Sequence, residues 1–83
     1  MRVVIAVSTI LAHWQVNVDL GTGRATLYRD HRHYGRARYR GNGEWCEFDP
    51  DTGEAREALE LACGELKPFD PVLEANLRAR RRD

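Results

Sequence analysis

The chain has 83 residues, room for one domain around one hydrophobic core, which excludes an enzyme that needs separate cofactor and substrate halves. Hydrophobic residues at 42% and charged residues at 31% describe a folded chain rather than a disordered one, and no run of about 18 apolar residues is available to span a bilayer. The 13 basic and 13 acidic residues cancel, but their signs are segregated along the chain. Residues 24–40 hold six arginines against Asp30, a net +5; residues 41–74 hold ten acids against Arg56 and Lys67, a net −8; residues 75–83 return to +3. Such poles attract charged partners, or each other.

In chain order, residues 3–7 are β-branched and apolar on both faces, which reads as an interior strand rather than the core of a signal peptide. Residues 13–20 alternate: Trp14, Val16, Val18 and Leu20 face one way, Gln15, Asn17 and Asp19 the other, the pattern of a half-buried strand. Gly21-Thr22-Gly23 turns the chain into a strand over 24–29, with Ala25 and Leu27 on one face and Thr26 and Tyr28 on the other. Residues 30–35 read as a polar connection. Alternation resumes over 36–40, and Gly41-Asn42-Gly43 turns into a last strand over 44–48. The period then changes. Asp49-Pro50-Asp51-Thr52 offers a helix cap with proline in the first turn. Ala55, Ala58, Leu59, Ala62, Cys63 and Leu66 form one apolar stripe, Lys67-Pro68 stops the helix, and Asp70-Pro71 starts a shorter one edged by Leu73 and Leu77. The expectation is a single domain over 1–83. Its α+β fold is an antiparallel meander sheet of four to five strands over about 2–48, with a longer helix (50–66) and a shorter one (71–81) on one face.

Catalytic and metal signatures are missing. There is no GxSxG, phosphate-binding glycine loop or HExxH. Ser8 is the one serine, and nothing in the sequence sets a histidine beside it. Cys46 and Cys63 form no CxxC pair and read as two reduced thiols in a core, with a bridge between them left open. His31-x-His33 is half of a zinc signature, and solvated histidines are the simpler reading. No enzyme activity, cofactor or metal is expected. The arginines are more informative. With Ala37 and Tyr39 turned to the core, Arg36, Arg38 and Arg40 share the exposed face, with Arg32, Tyr34 and Tyr39 nearby, a set able to grip phosphates or an acidic protein surface. Glu54, Glu57 and Glu60 lie outside the apolar stripe of the helix and make either its solvated face or an imitation of a phosphate backbone.

Two resemblances add to this. The run from Trp14-Gln15-Val16-Asn17-Val18 to Phe48-Asp49-Pro50-Asp51-Thr52-Gly53-Glu54-Ala55-Arg56-Glu57-Ala58-Leu59 resembles the arm-type DNA-binding domain of phage integrases, a three-stranded sheet and a helix whose sheet enters the major groove. The whole chain also resembles, in its order of elements, small phage-encoded anti-CRISPR proteins that act on type I Cascade complexes. That second resemblance implies a non-catalytic inhibitor in the cytoplasm of a bacterial host. It would occupy a surface of Cascade used by DNA or by the recruited nuclease. The expected contact surface combines Arg32, Arg36, Arg38 and Arg40 with Glu54, Glu57 and Glu60, anchored by Tyr34 or Tyr39. The alternatives are a DNA-binding or transcription-regulatory module that uses the arginine face, and a structural module in which opposite poles pair between copies. The partner is thus a protein complex, with nucleic acid possible, no membrane, and a monomer or small homo-oligomer.

Overall fold

Strict alternation decides the sheet. In the computed structural model, which describes residues 1–81, five strands run antiparallel in the order of the chain: β1 (Arg2–Ser8), β2 (His13–Asp19), β3 (Arg24–Arg29), β4 (Arg32–Gly41) and β5 (Glu44–Asp49). Trp14, Val16, Val18, Ala25, Leu27, Ala37 and Tyr39 fall on one face and are buried. That face is covered by α1 (Gly53–Leu66), which contributes Ala55, Ala58, Leu59, Ala62 and Leu66, and by Leu73 of α2 (Asp70–Arg81), all in one apolar cluster. The fold is α+β, as the change of period implies. Among the described residues no helix is long and apolar enough to cross a membrane.

α1 lies over β1 and β2, yet it also reaches β5, where Trp45 Nε1 donates to the Cys63 sulfur at 3.1 Å and the Arg56 guanidinium stacks 4.2 Å from the Phe48 ring. Five strands of a flat sheet spread about 19 Å, whereas a helix with its side chains is about 10–12 Å wide. The sheet therefore curls around α1.

Several boundaries differ from the sequence reading, each for a local reason. β1 is an edge strand, not an interior one: it pairs only with β2, and α1 covers its inner face, so its apolar character on both faces reflects one helix and one exposed row. The connection read over 30–35 shrinks to Asp30 and His31, both at positive φ (49° and 68°), a tight hairpin turn built without glycine. An irregularity follows, with Leu27 opposite Gly35 but Tyr28 opposite His33, so Tyr34 is the extra residue of a β-bulge. Gly35 sits where a Cβ would collide with the Asp49 carbonyl oxygen and lie 2.6 Å from the Pro50 ring. α1 starts at Gly53, later than position 50, because the cap is Thr52, whose side chain accepts the Ala55 N–H at 3.1 Å. Lys67-Pro68 does not stop the helical path: a 3₁₀ turn (Lys67–Phe69) joins α1 to α2, and the residues at the junction keep right-handed helical dihedrals. Cys46 and Cys63 are both free thiols, half-buried rather than fully in the core.

Candidate functional site

The sheet face turned away from the helices is bare, and alternation places the arginines on it. Arg24 of β3 stands directly opposite Arg38 of β4, and Thr26 opposite Arg36. These residues line a shallow groove of about 500 Å³ whose far wall is Glu47 and Asp49 of β5. Arg36 lies 3.6 Å from Asp49, both side chains about three-quarters exposed (73% and 74%). Arg38 Nε lies 3.1 Å from a Glu47 carboxylate oxygen, though that N–H is not aimed to make a hydrogen bond. Exposed pairs of this kind hold their charges weakly. Edge strand β5 thus offsets part of the positive charge of its neighbour.

A second cleft, of about 310 Å³, continues from the first and shares Arg24 and Arg38 with it; its other lining residues are Thr22, Leu77 and Arg80. None of the described residues that line it is acidic. Helical spacing explains the arrival of Arg80, because positions 73, 77 and 80 follow one face of α2: Leu73 anchors that face in the core, Leu77 packs half-buried beside it, and Arg80 is carried to the sheet. Arg24 and Arg80 make no ion pair among the described residues, and the Arg24 backbone N–H is held by Thr22 Oγ1 at 3.2 Å. Like charges directly opposite across two strands repel. The Arg24–Arg38 juxtaposition is a cost that an anion bridging the two guanidinium groups would relieve. Arg80 is not singled out by the sequence, where the terminal arginines enter only as the +3 charge of residues 75–83; the 73/77/80 spacing is the signal that places it on its helix face.

The remaining residues of the expected surface scatter. Arg40 lies beyond the groove, in a cleft of about 380 Å³ between the β4–β5 turn and α2, where Asp70 and Glu74 balance Arg40 and Arg78. Arg32 is exposed beside the Asp30-His31 turn, in a cleft with Arg29, His33, Tyr34 and Glu54. Tyr34, turned inward by the bulge, packs edge-on to Trp14 with ring centroids 4.8 Å apart and shares a 2.6 Å hydrogen bond with the capping hydroxyl of Thr52. Tyr39 is 1% exposed, so it cannot anchor a partner. Its hydroxyl donates to Asp70 at 2.8 Å and accepts the Gly43 N–H at 3.1 Å. Burial chiefly, with the Asp70 carboxylate adding to it, pushes its phenol up to about 12.

The acidic half lies on the other side of the sheet. Glu54 is engaged internally, accepting from Arg29 Nε at 2.7 Å, and that hydrogen bond raises the Arg29 guanidinium above its ordinary value. Asp51 is held below its ordinary value by a two-pronged contact from Arg56 at 2.6 and 2.9 Å. Glu57 and Glu60 are exposed on α1 and make no ion pair among the described residues. A sheet separates them from Arg36 and Arg38, so the mixed surface expected from the sequence is not formed.

One catalytic-looking contact appears. Ser8 Oγ lies 2.9 Å from His13 Nδ1. The two are an exposed cross-strand pair of the β1–β2 hairpin, and among the described residues no carboxylate bonds the imidazole ring, so nothing orients it as a general base. No group of three His, Cys, Asp or Glu side chains able to hold a metal occurs among the described residues. Comparison with known protein families, with curated proteins and with solved structures gives no match for this chain. What the fold and the site define is an α+β meander that covers one sheet face with helices and leaves an arginine-bearing face open.

Proposed function

We propose that this chain is a non-catalytic binding protein that grips a nucleic-acid backbone on the bare face of its sheet. The observation that carries this reading is the convergence of Arg24, Arg38 and Arg80, from β3, β4 and α2, in a cleft with no acid among the described residues that line it. Guanidinium forks match phosphate geometry, and arginines held on rigid elements lose little freedom on binding. Arg36 extends the track along the groove, and Tyr28 and His33, packed edge-on at 5.8 Å on the same face, offer ring surfaces to unpaired bases. The test is fluorescence anisotropy of labelled single-stranded and duplex oligonucleotides at increasing salt. Binding that weakens steadily with salt, and that Arg24→Glu or Arg80→Glu largely abolishes, supports the reading. No binding to either oligonucleotide at low salt and micromolar protein overturns it.

A second reading rests on the opposite face. A surface used by DNA is basic, so a protein that competes for it presents acids. Exposed Glu57 and Glu60 on α1, with half-exposed Leu61 (50%) beside them, form such a patch. This supports the anti-CRISPR reading, with α1 rather than the arginines as the contact. Its test is target-DNA binding by a purified type I Cascade complex. Inhibition by the native chain that Glu57→Lys with Glu60→Lys removes supports it; undisturbed DNA binding at excess protein rejects it.

A further inference from the structure

We infer that β1 is a self-association edge, on which a second copy of the chain pairs antiparallel about Ile5 to continue one sheet through two molecules. The two edges of the sheet are not equally protected. β5 carries Glu44, Glu47 and Asp49, and Glu47 at positive φ (54°) breaks its regular extension; charges and irregularities of this kind discourage strand addition. β1 has neither. Its sequence is Arg-Val-Val-Ile-Ala-Val-Ser, and no hydrogen bond from a turn, a helix or a side chain reaches its backbone among the described residues, so its outer row of N–H and C=O groups is open.

The occupant is a second copy because the strand is self-complementary. Rotation about an axis through Ile5 sets Val3 opposite Val7 of the second copy, Val4 opposite Ala6, and Arg2, the strand's one charge, opposite Ser8. No like charges meet, and residues of equal parity face each other, so both molecules keep their helices on one side and their arginines on the other. The same operation brings Met1 opposite Thr9 of the second copy, beside Ile10. This accounts for an otherwise unexplained grouping: Met1, Val4, Ile10 and Leu11 are 73%, 60%, 99% and 68% exposed, and all lie on β1, on the residue before it or on the turn that leaves it. That turn is firmly made, with Thr9 Oγ1 accepting from the Ala12 N–H at 3.2 Å and from Trp14 Nε1 at 3.3 Å, so Ile10 and Leu11 are presented rather than loose.

Sedimentation equilibrium of the full chain from micromolar to millimolar concentration tests the inference, with two variants on the exposed row. Val4→Lys with Ala6→Lys sets ammonium groups opposite each other in both symmetry-related pairs and should weaken the dimer about tenfold or more. Val4→Lys with Ala6→Glu places opposite charges face to face in this register alone and should restore it. Both variants alter solvent-exposed positions opposite Asn17 and Gln15, so the charge-complementary one also controls for folding. In the native chain, hydrogen exchange at the β1 amides should slow as concentration rises. A native chain that stays at the 9.5 kDa monomer mass throughout overturns the inference. So does an all-lysine variant that dimerises like the native chain, or a charge-complementary variant that dimerises no better than it.

Discussion

Replacing Tyr39 with phenylalanine removes one oxygen from the best-buried polar junction of the fold. The Tyr39 hydroxyl, on a residue 1% exposed, donates to Asp70 at 2.8 Å and accepts the Gly43 N–H at 3.1 Å, while the other Asp70 oxygen accepts the Asn42 N–H at 3.1 Å. This junction ties the Asn42-Gly43 turn to the first residue of α2. The change deletes a hydrogen bond to a charged group, worth about 1.5–3 kcal/mol, and leaves a half-exposed N–H that water can reach, so the expected loss is about 2 kcal/mol. For a domain of this size that lowers Tm by about 8–16 °C. The tyrosine also makes a pH signature. Its phenol titrates near 12 in the fold against an ordinary 10.0, so the folded state keeps a proton that the unfolded state has released between those values. The stabilisation is complete below pH 10 and fades as the pH rises toward 12, by up to about 3 kcal/mol for a shift of that size. Urea denaturation of native and variant chains, compared from neutral to alkaline pH, measures both effects, and the difference cancels the titration of every other group. A gap under about 0.5 kcal/mol at neutral pH, or a gap that does not narrow in alkali, would refute the argument.

Other changes test separate joints. Thr52→Ala removes the α1 cap together with the hydroxyl partner of Tyr34 and should cost about 1–2 kcal/mol, most of it recovered by Thr52→Ser, as read by thermal denaturation. Gly35→Ala drives a methyl group into the Asp49 carbonyl and the Pro50 ring, backbone and ring atoms that cannot turn aside, and should cost about 3 kcal/mol or more in the same measurement. Arg24→Glu should leave the melting temperature unchanged or slightly raised, because its side chain is exposed, makes no ion pair among the described residues and stands opposite Arg38, while nucleic-acid affinity falls. Arg56→Ala frees Asp51 to titrate at its ordinary value. Since a lowered carboxyl stabilises the fold above its unfolded value and loses that contribution as pH falls, the variant should show a shallower stability loss in acid.

The parts of the fold that were legible in sequence are those where side-chain period alone decides. β2 could be read residue by residue because period two is unambiguous when Trp14, Val16, Val18 and Leu20 alternate with Gln15, Asn17 and Asp19, and the helical stripe was clear for the same reason. What escaped were features set by backbone geometry or by distant neighbours. A hairpin turn at Asp30 and His31 carries no glycine to announce its positive φ values. The bulge at Tyr34 shifts one residue out of register, so simple counting from Arg36 leaves the ring facing solvent although it packs on Trp14. Whether residues 3–7 were central or peripheral depended on which strands found each other, and an apolar run gives the same signal either way. Of the site, Arg36 and Arg38 were recoverable from alternation. Arg40 was not, because its place depends on where α2 crosses the end of the sheet; for Arg80 the 73/77/80 spacing gives the helix face but not the part of the sheet it meets.

Segregated charge along a meander has a geometric consequence that the net charge of zero conceals. Arg24, Arg36 and Arg38 occur in strands, where alternation sends them to the face that the core does not use; Glu54, Glu57 and Glu60 occur in the helix that covers the other face. The chain must therefore fold with its poles back to back. Layers in contact lie about 10 Å apart, and the Debye length at physiological salt is about 8 Å, so a partner on one face is largely screened from the other. Among the described residues, the carboxylates that pair with arginines of the open groove come from the edge strand β5, whose Glu47 and Asp49 lie 3.1 and 3.6 Å from Arg38 and Arg36. They leave untouched the cleft where Arg24 meets Arg80. A protein that needed its arginines only to balance its own glutamates would have set them within reach of α1, as Arg29 is set beside Glu54. The arginines left on the far side are available to something outside the chain.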